Sequence, residues 1–118
     1  MAALVLPRSG ELNRRVQIRL QTDTANAGFG LTASYSTGIA RWAKKEPVRS
    51  LELRAGVNTG ELPTDLFWFR WGTGTKPEDF TTSHVLEHNG TRYRVLDSID
   101  VGDLRQFTRV SAKYLGAV

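Results

Sequence analysis

The chain contains no cysteine. That absence excludes disulfide staples, thiol nucleophiles and cysteine-ligated zinc, and leaves an apolar core to hold 118 residues together. Histidine is nearly as scarce, with His84 and His88 the whole supply. Four apart on a strand they share a face but lie too far apart to converge as a helical pair does, and Glu87 between them points to the other face, so no metal site is expected. No run approaches the roughly 18 apolar residues of a membrane span. The apolar start, Met1 to Leu6, has no basic residue before it and no room for a signal-peptide core. A soluble, non-secreted protein without a membrane partner is expected.

Reaction motifs are missing too. Gly72-Thr73-Gly74-Thr75-Lys76 lacks the G-x-x-x-x-G-K-[ST] spacing of a phosphate loop, and Pro77 forbids the helix that would follow it. No G-x-S-x-G elbow occurs, and neither histidine stands at a spacing that predicts a triad. Asp97, Asp100 and Asp103 recur every three residues, but a calcium loop needs a different spacing and a closing Glu, so they read as turn formers. No enzyme activity and no cofactor are expected.

The composition is that of one ordinary globular domain, 40% hydrophobic, 9% aromatic and 24% charged. A chain of this length buries about 60–70% of its unfolded surface, enough for a core without staples. Sixteen Lys and Arg against twelve Asp and Glu give a net charge of +4, with a pI near 9.9. Nine basic and four acidic residues lie at or before Arg54, and seven against eight follow it. The basic excess permits a polyanion partner without demanding one.

Val16, Ile18 and Leu20 alternate with Arg15, Gln17, Arg19 and Gln21, the period of a strand with one apolar face. Thr22 to Ser34, with Asn26, Gly28 and Gly30 and little periodicity, reads as a long loop. Tyr35 to Glu46 reads as a second strand with Ala40 and Trp42 on one side and Ile39 on the other, ended by Pro47. Ser50 is placed as the N-cap of a short helix over Leu51 to Ala55. Leu66 to Trp71 is apolar on both faces and reads as a strand between a core and a second contact surface. Gly72 to Thr82 is a second long loop. Asn89-Gly90 is a two-residue hairpin signal, with Tyr93, Val95 and Ile99 set inward on the returning strand. Thr108, Val110, Ala112 and Tyr114 alternate along a last strand. The sum is an all-β fold: a small antiparallel barrel or sandwich of five or six strands, one short helix and long loops. Residues 1–9 are set apart as an apolar extension and 10–118 as the single domain.

The order of these pieces resembles a known family. Gly10-Glu11-Leu12, then Arg14-Arg15-Val16-Gln17-Ile18, Arg41-Trp42-Ala43-Lys44-Lys45-Glu46-Pro47 and Leu51-Glu52-Leu53-Arg54-Ala55 look like the first half of phage head–tail joining proteins. His88-Asn89-Gly90-Thr91-Arg92-Tyr93-Arg94-Val95-Leu96-Asp97-Ser98-Ile99 and the strand through Tyr114 are similar to that family's closing hairpin and last strand. The resemblance runs from Gly10 to about Leu115. It implies a head-closure or adaptor protein of a tailed phage or prophage, located at the head–tail junction of the virion and in the host cytoplasm during assembly. Its partners would be copies of itself in a hexameric or dodecameric ring, the portal or adaptor ring, tail proteins, and double-stranded DNA held weakly in passage. A domain of this length has a radius of gyration of about 13–14 Å, so one copy cannot surround a duplex.

On that reading Leu51, Leu53, Arg54, Phe67, Trp68, Phe69 and Trp71 are candidates for contacts between subunits or rings, with the Phe and Trp residues shared between core and interface. Lys44, Lys45, Arg70 and Lys76 are candidates to lie near the DNA channel. The competing reading is a single-stranded nucleic-acid-binding barrel using Arg14, Arg15, Arg19, Lys44, Lys45 and Arg70, with Trp68 to Trp71 as a stacking platform. A tail-terminator or minor tail protein is a third.

Overall fold

Val16 and Ile18, the first apolar positions of the alternating stretch, are 0% and 5% exposed on the inner face of a twelve-residue strand. A computed structural model of the chain describes residues 6–25, 27–28, 30–48 and 63–118. Seven strands run through it: β1 (Arg14–Ala25), β2 (Leu31–Tyr35), β3 (Ile39–Pro47), β4 (Asp65–Arg70), β5 (His84–His88), β6 (Thr91–Asp100) and β7 (Phe107–Ala117). Every pairing is antiparallel, and the circuit β3-β1-β5-β6-β7-β4-β3 closes on itself as a six-stranded barrel. Closure leaves no edge within the circuit and confirms the all-β barrel. The short helix expected over Leu51 to Ala55 lies outside the described residues, where the helical elements are the 3-10 turns Ser9–Glu11, Pro77–Asp79 and Val101–Asp103.

Two stretches differ from the expectation. The loop expected over Thr22 to Ser34 is instead mostly strand: β1 runs on to Ala25 and pairs with β2 from Gln21↔Tyr35 to Ala25↔Leu31. No apolar alternation marks it because Thr22 to Ala25 are exposed on both faces, so no core selects one side. The single strand expected over Tyr35 to Glu46 is two strands joined by a bulge. Arg19 and Leu20, between the paired positions Ile18↔Ile39 and Gln21↔Tyr35, oppose three residues, Ser36 to Gly38. There the Ser36 N–H donates to the Leu20 carbonyl at 2.9 Å and the Leu20 N–H donates to Ser36 Oγ at 2.9 Å. β2 thus continues β3 along the same edge of β1.

On its other edge β1 pairs with β5 through Leu20↔His84, and the Gln21 N–H donates to the Ser83 carbonyl at 2.9 Å. Beyond that bond β1 and β2 leave the barrel as a two-stranded ribbon. A twelve-residue strand is about 40 Å long, which accounts for much of the 56 Å long axis of a body 28 × 24 Å across.

The barrel is filled by Val16, Ile18, Ala43, Phe67, Phe69, Phe80, Leu86, Tyr93, Val95, Val110 and Ala112. The Phe67 and Tyr93 rings meet edge to face at 5.1 Å. Outside the wall lies a second cluster, Trp68, Val101 and Phe107, capped by Leu6 and Leu12. Ile99, expected inward, is 38% exposed. Val95↔Ala112 is followed by Asp97↔Ser111, so Leu96 is an extra residue on β6, and a bulge of one residue turns later side chains to the opposite face.

Candidate functional site

β4 divides its aromatics by pleat. Phe67 and Phe69 point inward with 0% exposure and offer no surface to a neighbour. Trp68 points outward but is 8% exposed beneath the segment before β1. Its Nε1–H donates to Glu46 Oε1 at 2.7 Å, and the Arg109 guanidinium lies 5.8 Å from its ring. Trp71 alone of the four sits at the surface, half-buried just past the end of β4, where its N–H donates to the Gln106 carbonyl at 3.0 Å. Lys76 Nζ stands 5.2 Å and the Arg105 guanidinium 5.9 Å from the Trp71 ring. Arg70 lies 5.7 Å from the Phe107 ring beside them. Leu51, Leu53 and Arg54 fall outside the described residues.

The four cations expected near a channel do not converge. Lys44 and Lys45 are neighbours on β3 and therefore face opposite sides. Lys44 lies outside the barrel with its Nζ 2.9 Å from Glu11. That pair holds the Glu11 carboxyl below, and the Lys44 ammonium above, their ordinary pKa values. Lys45 is at one mouth of the barrel, 3.7 Å from Asp65 Oδ1 and 5.5 Å from the Tyr93 ring. Arg70 and Lys76 are at the other end of β4.

The mouth holding Lys45 is a cleft of about 420 Å³, lined also by Arg14, Pro47, Asp65, His88, Asn89, Thr91 and Tyr93. Asn89 and Gly90, at φ 51° and 75°, form the tight turn at its rim. Its charges are mixed. His88 Nδ1 lies 3.3 Å from the Arg15 carbonyl oxygen. His84, at the far end of β5, receives the Thr81 N–H on its Nδ1 at 3.0 Å. Burial pushes the His84 pKa down against the opposing pull of Asp79. No group of three or more His, Asp or Glu among the described residues is placed to hold a metal ion.

Sequence reasoning missed a row of cations set by register. Arg19↔Val85, Val85↔Arg94 and Arg94↔Lys113 place two arginines and a lysine along one rung of the outer wall. Arg92 stands one rung away opposite Glu87. Glu87 gathers Arg92 at 2.8 Å and Arg19 at 3.2 Å, the latter without hydrogen-bond alignment. Arg92 also stacks 3.8 Å from the Tyr35 ring, which ties β2 to this wall. Arg94 donates to the Gln21 side chain at 2.7 Å and the Thr82 carbonyl at 3.1 Å. Two strands, β5 and β6, separate Arg19 from Lys113 along the sheet, so only the pairing, not sequence spacing, aligns them.

The most exposed large apolar side chains are spread over the surface: Leu31 at 71% on the ribbon, Val118 at 63% after β7, Tyr114 at 55% near the end of β7, and Trp42 at 54% on β3. Trp42 has the Arg15 guanidinium 5.2 Å from its ring.

A search of curated proteins gives no match. Among solved structures, the chain is similar in fold to protein SF1141 from Shigella flexneri 2a, determined in solution. The TM-score is 0.65 at 16% identity, over 92% of this chain and 96% of that one. The phage head completion protein family matches residues 7–114, from the segment that packs on Trp68 through to Tyr114 near the end of the last barrel strand. With the closing hairpin and all but the last three residues of the barrel strands inside that match, the chain belongs to the phage head completion protein family and has a structural role in the phage virion at the head–tail level.

Proposed function

We propose that the protein is a head–tail connector subunit, a closure or adaptor protein that assembles with copies of itself between portal and tail and surrounds the path of double-stranded DNA. The observation that carries this reading is the family match over nearly the whole chain. The shape supports it. A barrel 28 × 24 Å across cannot enclose a duplex about 20 Å wide, so the task needs several copies. The barrel leaves a ribbon and several separate apolar side chains outside its wall for contacts with neighbours. Trp71 with Lys76 and Arg105 is the candidate surface for the next ring, and the Arg19, Arg94, Lys113 row the candidate for DNA phosphates. The protein is proposed to work as a structural part and to catalyse no reaction.

Mass measurement tests the reading: the free protein is expected to be small, and mixing it with portal rings of the same phage is expected to add a fixed number of copies. A protein absent from purified particles, or one that adds nothing to portal, would sink it. The competing barrel that binds single strands has Trp71 between two cations in its favour. Submicromolar binding of single-stranded DNA by the monomer, with a steep salt slope, would select that reading instead.

A further inference from the structure

We propose that the β1–β2 ribbon is a copy-to-copy splice: the outer edge of β1 in one subunit pairs with the outer edge of β2 in the next. This rests on the ring reading above and names the surface that would make the ring.

The hydrogen-bond phase of the ribbon is fixed by two contacts. Leu20 turns its carbonyl toward Ser36, and Gln21 turns its N–H the other way, toward Ser83. Alternation then sends the backbone groups of Thr22 and Thr24 to β2, opposite Ser34 and Thr32, and those of Asp23 and Ala25 outward. On β2 the outward set is Leu31, Ala33 and Tyr35. No described strand pairs with either outer edge of the ribbon. A two-stranded ribbon of exposed side chains is at best marginal by itself.

The sequence of the ribbon is unusual for an edge left in water. Natural edges are blunted with lysine, proline or inward charge. Residues 21–35 contain no Lys, Arg or Pro, and Asp23 is their one charged residue. Small residues make up most of the paired positions: Thr22, Thr24, Ala25, Thr32, Ala33 and Ser34, with Gln21, Leu31 and Tyr35 the larger uncharged ones. The bulge at Gly38 and the Tyr35–Arg92 stack hold the ribbon in one direction relative to the barrel.

The partner follows from the two edges being different. One belongs to β1 and the other to β2, so an edge-to-edge contact between copies is heterologous, and repetition closes into a ring or runs on as a filament. Around a common axis β1 of one copy runs opposite to β2 of the next, which makes the added pairing antiparallel like those within the chain. Each contact offers few hydrogen bonds. It is weak between two copies and reinforced once the circle is complete.

Residue-resolved hydrogen exchange on the full-length chain, free and seated on portal rings, tests the splice. In the free chain the amides of Asp23, Ala25, Leu31, Ala33 and Tyr35 are expected to exchange fast while those of Thr22, Thr24 and Ser34 are slow. On assembly the fast set is expected to slow by about tenfold or more on both edges. Ala33→Pro and Asp23→Pro each remove one outward donor and leave the β1–β2 ladder intact. Each variant is expected to keep the wild-type melting transition and to lose assembly. Wild-type seating with the outward amides still fast, or variants that assemble as wild type does, overturns the splice and leaves the connector reading standing. Slowing on one edge alone assigns that edge to a strand of another protein and also overturns it. A wild-type chain that never seats on portal removes the connector reading and the neighbour copy together.

Discussion

Gly38 shows how little room a single backbone position can leave. It has φ +69°, and a Cβ there would stand 1.9 Å from the Ile18 carbonyl oxygen and 2.8 Å from its carbon. Both are backbone atoms of the neighbouring strand, so no rotamer relieves the clash. Gly38→Ala is expected to destabilise the protein by about 3 kcal/mol or more, read as a lower midpoint in urea unfolding. His84 makes a pH-dependent contribution of definite sign. Its pKa in the folded chain is lowered by burial, so the unfolded chain takes up a proton first as pH falls. Stability is therefore complete above the ordinary histidine value of about 6.5 and declines as pH drops through the folded value. The Thr81 N–H points at Nδ1 and needs that nitrogen unprotonated, which gives the same direction. A urea midpoint lower at pH 5.5 than at pH 7.5, with a smaller difference in His84→Gln, is the expected result.

At the scale of elements, β4 separates packing from surface within six residues. Phe67→Ala removes a ring enclosed between Phe69 and Tyr93 and is expected to cost about 3–5 kcal/mol. Trp71→Ala touches no core cluster, and its unfolding midpoint is expected to stay close to wild type while its effect falls on assembly. Equal losses from both substitutions would show that Trp71 is structural. The sequence alone could not make this division, because Leu66 to Trp71 carries apolar residues on both faces and alternation carries no information where both faces are covered. Legibility followed the cores. β1 was readable as far as Leu20 because Val16 and Ile18 face apolar partners, and the β5–β6 hairpin because Asn89-Gly90 supplies two positive-φ positions. The ribbon was illegible because nothing is buried against it. Ile99 was misplaced because a one-residue bulge at Leu96 leaves no mark in composition. The row of Arg19, Arg94 and Lys113 was invisible for the same reason: register is a property of the closed sheet.

For the whole molecule, the connector proposal raises the question of how a chain of net charge +4 would surround moving DNA without seizing it. Each phosphate neutralised by a fixed cation adds affinity through counterion release, with a salt slope of roughly −0.9 per contact. The protein limits that number by geometry. Lys44 and Lys45 are spent on Glu11 and Asp65, Arg19 and Arg92 share Glu87, and Arg70, Lys76 and Arg105 lie against aromatic rings. One subunit then presents a shallow positive wall rather than a grip. Duplex DNA titrated against the free protein is expected to bind no tighter than about 10⁻⁶ M at physiological salt, with a slope of log affinity on log salt no steeper than about −4. That limit is the slope of Arg19, Arg92, Arg94 and Lys113 all reaching phosphates together. A slope near −8 would require cations from several faces to converge, which one barrel with these registers cannot supply. It would mean either a preassembled ring in the free protein or a nucleic-acid grip that the single subunit does not have, and sedimentation at the titration concentration separates the two.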